Sequence, residues 1–449
     1  MRQDLPEQIT AIEAAAAFER LAAFDHLILA VSGGPDSMAL MLLVAQWRAG
    51  RAGGPVVSVA SVDHALRPTS RHEAEMVAAA AGELGLPHVI LTWTGLKPSV
   101  GVPAAAREAR YRLLEQHART LLGSRGERIA VATAHHRDDQ VETFAMRLAR
   151  GAGVDGLAGM PSERPLSEGS PIALVRPLLA FPKARLIATL AARGVDAVQD
   201  PTNIDLRFER ARLRSHLAKL EAAGLSSKAI AASARRLGDA RDALSYAEDV
   251  FVSSLGLSFG HEVFACLERQ AFKSGPALLR QRVIERLVRR YGGDTPAAQL
   301  SEIEDLVARM QRDVSSTATL GGAMISTGPR FIRVWRELGR LTGLETRLFR
   351  GEARVWDGRF RLRFSLDTVS AGGIDFVTVR PLGERGYAMI APRLVPGRRP
   401  PARAARAVPS FWAGEEFIAA PALAPFARLD APRLDAEGMT ALPLHAAEN

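Results

Sequence analysis

Between residues 26 and 134 four short apolar runs alternate with stretches of helical composition, and this alternation constrains the fold more than any other feature of the chain. The runs are Leu27-Ile28-Leu29-Ala30-Val31, Val56 to Asp63, His88 to Trp93 and Arg128 to Ala134. Each has the length of one strand, and their continuous apolar character is that of strands buried on both faces. Helical segments follow them: Met38 to Ala45, about Arg71 to Leu84, Pro103 to Leu122, and a stretch opening near His135. Such an order implies parallel strands joined by helical crossovers, that is, an α/β fold built on a doubly wound parallel sheet. Residues 8 to 24 read as an amphipathic lead-in helix, and Ala173 to Leu179 as a fifth strand before a Pro-initiated helix carrying Lys183 and Arg185.

Polar residues cluster where the strands end. The first cluster is Ser32-Gly33-Gly34-Pro35-Asp36-Ser37. Paired glycines permit close backbone approach, and the start of the next helix supplies unpaired N–H groups and a positive dipole end, so the turn is suited to phosphate. It lacks the lysine and spacing of a Walker A loop. Asp36 would repel phosphate unless a divalent cation lies between them. The second cluster is Asp63-His64-Ala65-Leu66-Arg67, and the third is His135-His136-Arg137-Asp138-Asp139-Gln140-Val141-Glu142-Thr143, expected on the first turns of a helix. Parallel strands end on one edge of a sheet, so all three clusters can line one crevice. With His135 four residues before Asp139 and Asp139 three before Glu142, a helix would bring the three to one face. The pattern favours a magnesium nucleotide site, with Asp36 and Asp139 near the metal and His135 near the reacting phosphate. Competing readings are a zinc site, a helix cap after a Gly-Gly turn, and a solvated acidic helix face. Gly151-Ala152-Gly153-Val154-Asp155-Gly156 fits the dinucleotide pattern G-x-G-x-x-G, but it follows a helix and opens into a loop, which rejects it.

The chain has 449 residues, too many for one ordinary core. Three domains are expected: residues 1–215 around the sheet, a mainly helical 216–345 ending in a hairpin of 319–325 with 330–335, and a small β-rich module over 346–449. Its 58 basic against 49 acidic residues give a formal charge of +9, which suits a polyanionic partner. A lone cysteine, Cys266, excludes disulfide frameworks and CxxC zinc ribbons within this sequence. The N-terminal residues lack a signal-peptide pattern and no run reaches the roughly eighteen apolar residues of a membrane span, so a cytoplasmic protein with no membrane partner is expected.

These motifs, in this order, resemble the tRNA(Ile)-lysidine synthase family of PP-loop (N-type) ATP pyrophosphatases, whose fold is adenine nucleotide alpha hydrolase-like. The elements are S-G-G-x-D-S at Ser32 to Ser37, D-H-x-L-R at Asp63 to Arg67, A-R-E-x-R-Y at Ala106 to Tyr111 and A-H-H-x-D-D-Q-x-E-T at Ala134 to Thr143. R-G-x-G-x-x-G-L follows at Arg150 to Leu157, R-P-L-L at Arg176 to Leu179 and D-P-[ST]-N at Asp200 to Asn203. Alanine stands at Ala65 where the family usually has glycine, and Arg210-Ala211-Arg212-Leu213-Arg214 replaces its R-N-x-I-R. The resemblance implies ATP and Mg²⁺ as cofactors and two substrates, free L-lysine and a tRNA(Ile) with a CAU anticodon. ATP would adenylate the C2 oxygen of cytidine 34, releasing pyrophosphate, and lysine would displace AMP to give lysidine. It implies an ATP site of Ser32, Gly33, Gly34, Pro35, Asp36, Ser37, Asp63, His64 and Arg67, with catalysis by Asp36, His135, Asp139 and Arg107. Contacts to tRNA or lysine would come from Arg110, Tyr111, Asp138, Glu142, Lys183, Arg210, Arg212 and Arg214, and from a tRNA-binding C-terminal module. A homodimer is compatible with this reading. The alternatives are a thiolase-like PP-loop enzyme, which commonly uses paired cysteines, and a non-catalytic RNA-binding protein with a degenerate nucleotide site.

Overall fold

Leu27, Ile28 and Leu29 have no solvent exposure in the computed structural model, as a strand covered on both faces requires. The structure describes residues 6–66, 69–95, 97–98, 100–123, 126–167, 169–198, 209–312, 315–365, 375–428 and 439–443. By contacts the chain divides into two compact units, Met1–Arg241 and Asp242–Asn449.

In the first unit the elements run α1 (Ala11–Phe18), β1 (His26–Ala30), α2 (Pro35–Ala49), β2 (Val56–Asp63), α3 (Ser70–Glu83), β3 (His88–Thr92), α4 (Val102–Thr120) and β4 (Ile129–Ala132). They continue with α5 (Arg137–Leu148), α6 (Val154–Leu157), β5 (Glu163–Pro165), β6 (Ala173–Val175), α7 (Lys183–Ala191), α8 (Glu209–Ala222) and α9 (Ser227–Ser254), within which the unit ends. The strands form one sheet in the order β3-β2-β1-β4-β6-β5, parallel throughout except for β5 on β6. Side chains alternate across it. Leu27, Leu29, Val57, Val59, Ala130 and Ala132 join Phe18, Leu40, Val44, Val77 and Leu186 from α1, α2, α3 and α7 in one core. Ile28, Ala60, Ile129 and Val131 face the other way, toward Leu114 and Ala118 of α4. The doubly wound sheet is therefore as expected. Three details differ: α6 follows Gly153 where a loop was expected, β5 is an additional edge strand, and β6 ends at Val175 where a strand to Leu179 was expected. Three residues ending in a proline carry too little periodicity to announce a strand, and an edge is where a proline is tolerated.

The order of strands reverses between β1 and β4, which are neighbours although two strands separate them in sequence. Crevices open at such switch points, beyond the carboxyl ends of the strands. The Ser32–Ser37 turn follows β1 and the His135 segment follows β4, so the fold itself sets them side by side.

The second unit contains two cores. In the first, β7 (Phe264–Glu268), α10 (Arg269–Ser274), α11 (Ala277–Tyr291), α12 (Leu300–Arg312), β8 (Ser316–Leu320), β9 (Ala323–Thr327) and β10 (Phe331–Arg336) pack around Leu287, Ile303, Ile325 and Ile332. The expected hairpin is thus part of a four-stranded sheet, β7-β10-β9-β8. Strand β7 interrupts a stretch read as helical, because its burial alternates and it lacks the continuous apolar run that marks β1. In the second core, β11 (Thr346–Phe349), β12 (Ala353–Trp356), β13 (Phe360–Phe364), β14 (Phe376–Pro381), α13 (Gly383–Ile390), α14 (Ala402–Arg406), β15 (Pro409–Ala413), β16 (Glu416–Ala419) and β17 (Met439–Pro443) enclose Trp356, Phe360, Phe411 and Trp412. Between the two cores, Arg336 grips Asp357 through both carboxylate oxygens at 2.9 and 2.7 Å, and Arg359 donates to the same carboxylate at 2.8 Å.

Candidate active site

The phosphate turn is closed by its own side chains. Ser37 Oγ donates to Gly34 O at 2.9 Å and accepts from Ser32 N–H at 3.2 Å. Gly33 sits at φ +84°, a left-handed conformation that L side chains avoid, and Pro35 starts α2 with its fixed φ. The unpaired N–H groups of the first turn of α2 thus open at the crevice. Across it, β4 ends and Thr133 to His136 leads into α5, where Asp139 Oδ2 accepts from His136 N–H at 3.0 Å and caps the helix.

These segments line a cavity of about 430 Å³. Ser32, Gly34, Pro35, Asp36 and Ser37 form one wall, His135 and Asp139 another, and Arg107, Arg110 and Tyr111 of α4 a third, with His64 and Lys183 also at the surface. Arg107 lies over the Tyr111 ring, 5.1 Å from its centroid. Arg110 Nη2 donates to His64 Nε2 at 3.2 Å. Burial, reinforced by the Arg110 charge, lowers the His64 pKa to about 4, so this imidazole is neutral near pH 7 and its Nε2 can accept the Arg110 bond.

Charge concentrates at Asp36. Lys183 Nζ donates to Asp36 Oδ2 at 2.9 Å, and His136 Nε2 stands 3.6 Å from the same oxygen and 3.5 Å from Asp139 Oδ2. Burial pushes the Asp36 carboxyl upward, but His136 and Lys183 outweigh it and hold the group below its ordinary value. For His136 burial acts downward, and the surrounding Asp36, Asp139 and Asp138 prevail and raise it. Asp36 Oδ1 is buried and has no partner among the described residues. Among those residues no group of three or more His, Cys, Asp or Glu is gathered for an ion. Two carboxylates beside a phosphate cradle, one with an uncommitted oxygen, are a donor set that suits magnesium, which takes the rest of its shell from phosphates and water.

Other expected residues lie elsewhere. His135 precedes α5 instead of riding on it, and its Nδ1 pairs with Thr133 Oγ1 at 2.9 Å; the expectation of a shared helical face with Asp139 and Glu142 is corrected accordingly. Glu142, without exposure, is ion-paired with Arg214 and is not among the residues lining the cavity; Arg214 Nη2 reaches its Oε2 at 3.3 Å. Asp138 accepts from the backbone N–H of Lys183 at 3.3 Å and so ties α5 to α7. Asp63, buried, accepts from Ala65 N–H at 2.8 Å and shapes the turn after β2 instead of lining the cavity. Gly33 borders the opposite side of the turn, where its carbonyl accepts from Val198 N–H at 2.9 Å. Arg212 is exposed on α8. Arg67, the side chain of Arg210 and the Asp200–Asn203 element lie outside the described residues. Sequence reasoning missed His136, and also Ser70 and Glu73 of α3, which line the cavity; a Ser and a Glu opening a helix look like ordinary capping residues.

A PP-loop domain family model, ATP_bind_3, matches residues 6–221. A tRNA(Ile)-lysidine synthase from a Bradyrhizobium species is 42% identical over 348 residues, 73% of this chain and 94% of that protein. The chain belongs to the tRNA(Ile)-lysidine synthase family. Another lysidine synthase, from Rhodopseudomonas palustris, is 41% identical over 339 residues, 73% of this chain and 95% of its own. A third, from Ruegeria pomeroyi, is 36% identical over 396 residues and spans 88% of both chains, so similarity to lysidine synthases extends beyond the PP-loop domain.

Proposed function

We propose that this member of the family ligates L-lysine to C2 of cytidine 34 in a tRNA(Ile) with a CAU anticodon, through an adenylated tRNA. The supporting observation is the switch-point cavity, which joins the Ser32–Ser37 cradle to Arg107, Arg110 and His135. The cytidine O2 attacks the α-phosphorus of ATP, the bond from that phosphorus to the bridging oxygen of pyrophosphate breaks, and the electron pair leaves with pyrophosphate. The lysine ε-amine then attacks C2, loses a proton, and AMP departs with the former O2. The Ser32–Ser37 turn, with the Ser32 hydroxyl and the N-terminus of α2, holds the leaving pyrophosphate in line. Asp36, with Asp139, would hold a magnesium ion, whose contribution is to neutralise charge on the pyrophosphate. His135 and the guanidinium groups of Arg107 and Arg110 stabilise the α-phosphate as it becomes five-coordinate. Once pyrophosphate and the accompanying cation have left, the carboxylate of Asp139 is free to accept the proton released by the attacking amine. We assign catalysis to residues 1–215, and tRNA binding to 216–345 and, above all, to the module of residues 346–449. A single cysteine and 42% identity to a lysidine synthase favour this reading over a thiolase.

The test is incubation of the full chain with a CAU-anticodon tRNA(Ile) transcript, isotopic lysine and [α-³²P]ATP. AMP and pyrophosphate form together, and mass analysis of the digested tRNA finds labelled lysidine. Release of ADP, or a tRNA without added lysine mass, contradicts the assignment.

A further inference from the structure

His136 stands between the two carboxylates assigned above and is itself absent from the expected site. Its ring is 2% exposed, so it does not compete for substrate from solvent. Its Nε2 lies 3.6 Å from Asp36 Oδ2 and 3.5 Å from Asp139 Oδ2, and its backbone N–H donates to that same Asp139 oxygen at 3.0 Å. Lys183 Nζ also selects Asp36 Oδ2, at 2.9 Å. The donors therefore converge on one oxygen of each carboxylate, while the second oxygen of Asp36 is buried without a partner among the described residues. Two carboxylates converging on one point repel each other and drift apart unless a donor between them fixes their spacing. The His136 imidazole, at ion-pair distance from both, is placed to hold that spacing by its charge. It reaches Asp36 across the sheet switch point and Asp139 within its own helix start, so it also ties the phosphate turn after β1 to the segment after β4.

We propose that His136 is a positioning residue, whose imidazole clamps one oxygen of Asp36 and one of Asp139 and so presents their remaining oxygens to the divalent cation that accompanies the nucleotide. The proposal rests on the reading of Asp36 and Asp139 as a magnesium site, and not on the identity of the second substrate. Donors behind metal-binding carboxylates typically govern metal affinity by tenfold or more. Lysine at position 183 does not substitute, because among the described residues its ion pair is with Asp36.

The experiment uses the full chain with saturating ATP and reads free Mn²⁺ by electron paramagnetic resonance. His136→Ala is expected to weaken Mn²⁺ binding about tenfold. His136→Asn, whose amide carries two N–H donors, is expected to bind Mn²⁺ within about threefold of wild type, corresponding to loss of only part of the clamp. Unchanged Mn²⁺ affinity in His136→Ala overturns the proposal. So does an Asn variant that melts at the wild-type temperature yet binds Mn²⁺ as weakly as the Ala variant. The same preparations assayed for lysidine separate the two readings: wild-type protein that binds Mn²⁺ as expected but adds no lysine refutes the proposed ligation and leaves the role of His136 standing.

Discussion

His64 carries a measurable signature at the level of a single residue. Its ordinary pKa of 6.5 falls to about 4, because burial and the Arg110 guanidinium both disfavour the imidazolium. Between those two values the unfolded chain takes up a proton that the folded chain refuses, so folding stability declines as pH falls from 6.5 toward 4, and above 6.5 the group contributes no slope. Urea midpoints measured from pH 7.5 to 4.5 are expected to fall less steeply in His64→Gln than in wild type, and the imidazole resonance of His64 to titrate near 4. A midpoint near 6.5 contradicts the environment described. Such behaviour was not legible in the sequence, where His64 stood only for a motif position. The same boundary separates His135 from His136. Two adjacent histidines look alike in a sequence, and which one lines the cavity depends on α5 starting at Arg137, a one-residue matter that patterns do not resolve. Ser32–Ser37 and Asp139 were legible because hydroxyls and carboxylates crowd the ends of apolar strands, where a sheet of this kind binds ligands.

At the scale of elements, the turn after β2 departs from ideal geometry. Ala65 holds φ at +47°, in the left-handed region, with its N–H bound to Asp63 Oδ1 at 2.8 Å. A Cβ there costs about 1–2 kcal/mol, while glycine would forfeit about 0.5–1 kcal/mol in unfolded-chain entropy. Ala65→Gly is therefore expected to stabilise the first unit by roughly 0.5–1 kcal/mol in denaturant titration; a net loss would show that the methyl group has a contact that outweighs the strain. Strands β1 to β4 were readable to within two residues because apolar residues dominate each run; burial is complete in β4 and nearly so in β1, while β3 is only partly buried. Strands β5 and β7 were not: β5 has three residues ending in a proline, β7 alternates inside a helix-rich stretch without the continuous apolar run that marks β1, and their pairing with β6 and β10 supplies the order that local sequence lacks.

For the molecule as a whole, the second unit holds a buried charge cluster whose members come from both of its hydrophobic cores. Asp357, itself at φ +52°, receives Arg336 and Arg359, and Arg336 Nη1 also donates to Gly292 O at 2.5 Å and Gly322 O at 2.8 Å. Glycines shape the socket: a Cβ on Gly322 would lie 2.3 Å from Arg336 Nη1, and one on Gly293 2.5 Å from Asp357 Oδ1. Arg336 ends β10 in the helical core, Asp357 sits between β12 and β13 of the β-rich core, and Arg359 Nη2 reaches Ala407 O at 3.0 Å. The pair thus joins two hydrophobic cores that sequence reading treats as separate domains. Removing the carboxylate strands two buried guanidinium groups, at a cost of about 3–5 kcal/mol. Trp335, Trp356 and Trp412 all lie in this unit, so in a background with Trp47→Phe and Trp93→Phe their fluorescence reports it alone. Asp357→Ala is expected to lower its urea midpoint by an amount equivalent to that energy. Asp357→Asn, which keeps one acceptor but loses the charge, should fall between the two, since hydrogen bonding is partly retained while the guanidinium charges go uncompensated. A loss below about 1 kcal/mol in the Ala variant would mean that water reaches the socket, and that hydrophobic packing alone joins the cores.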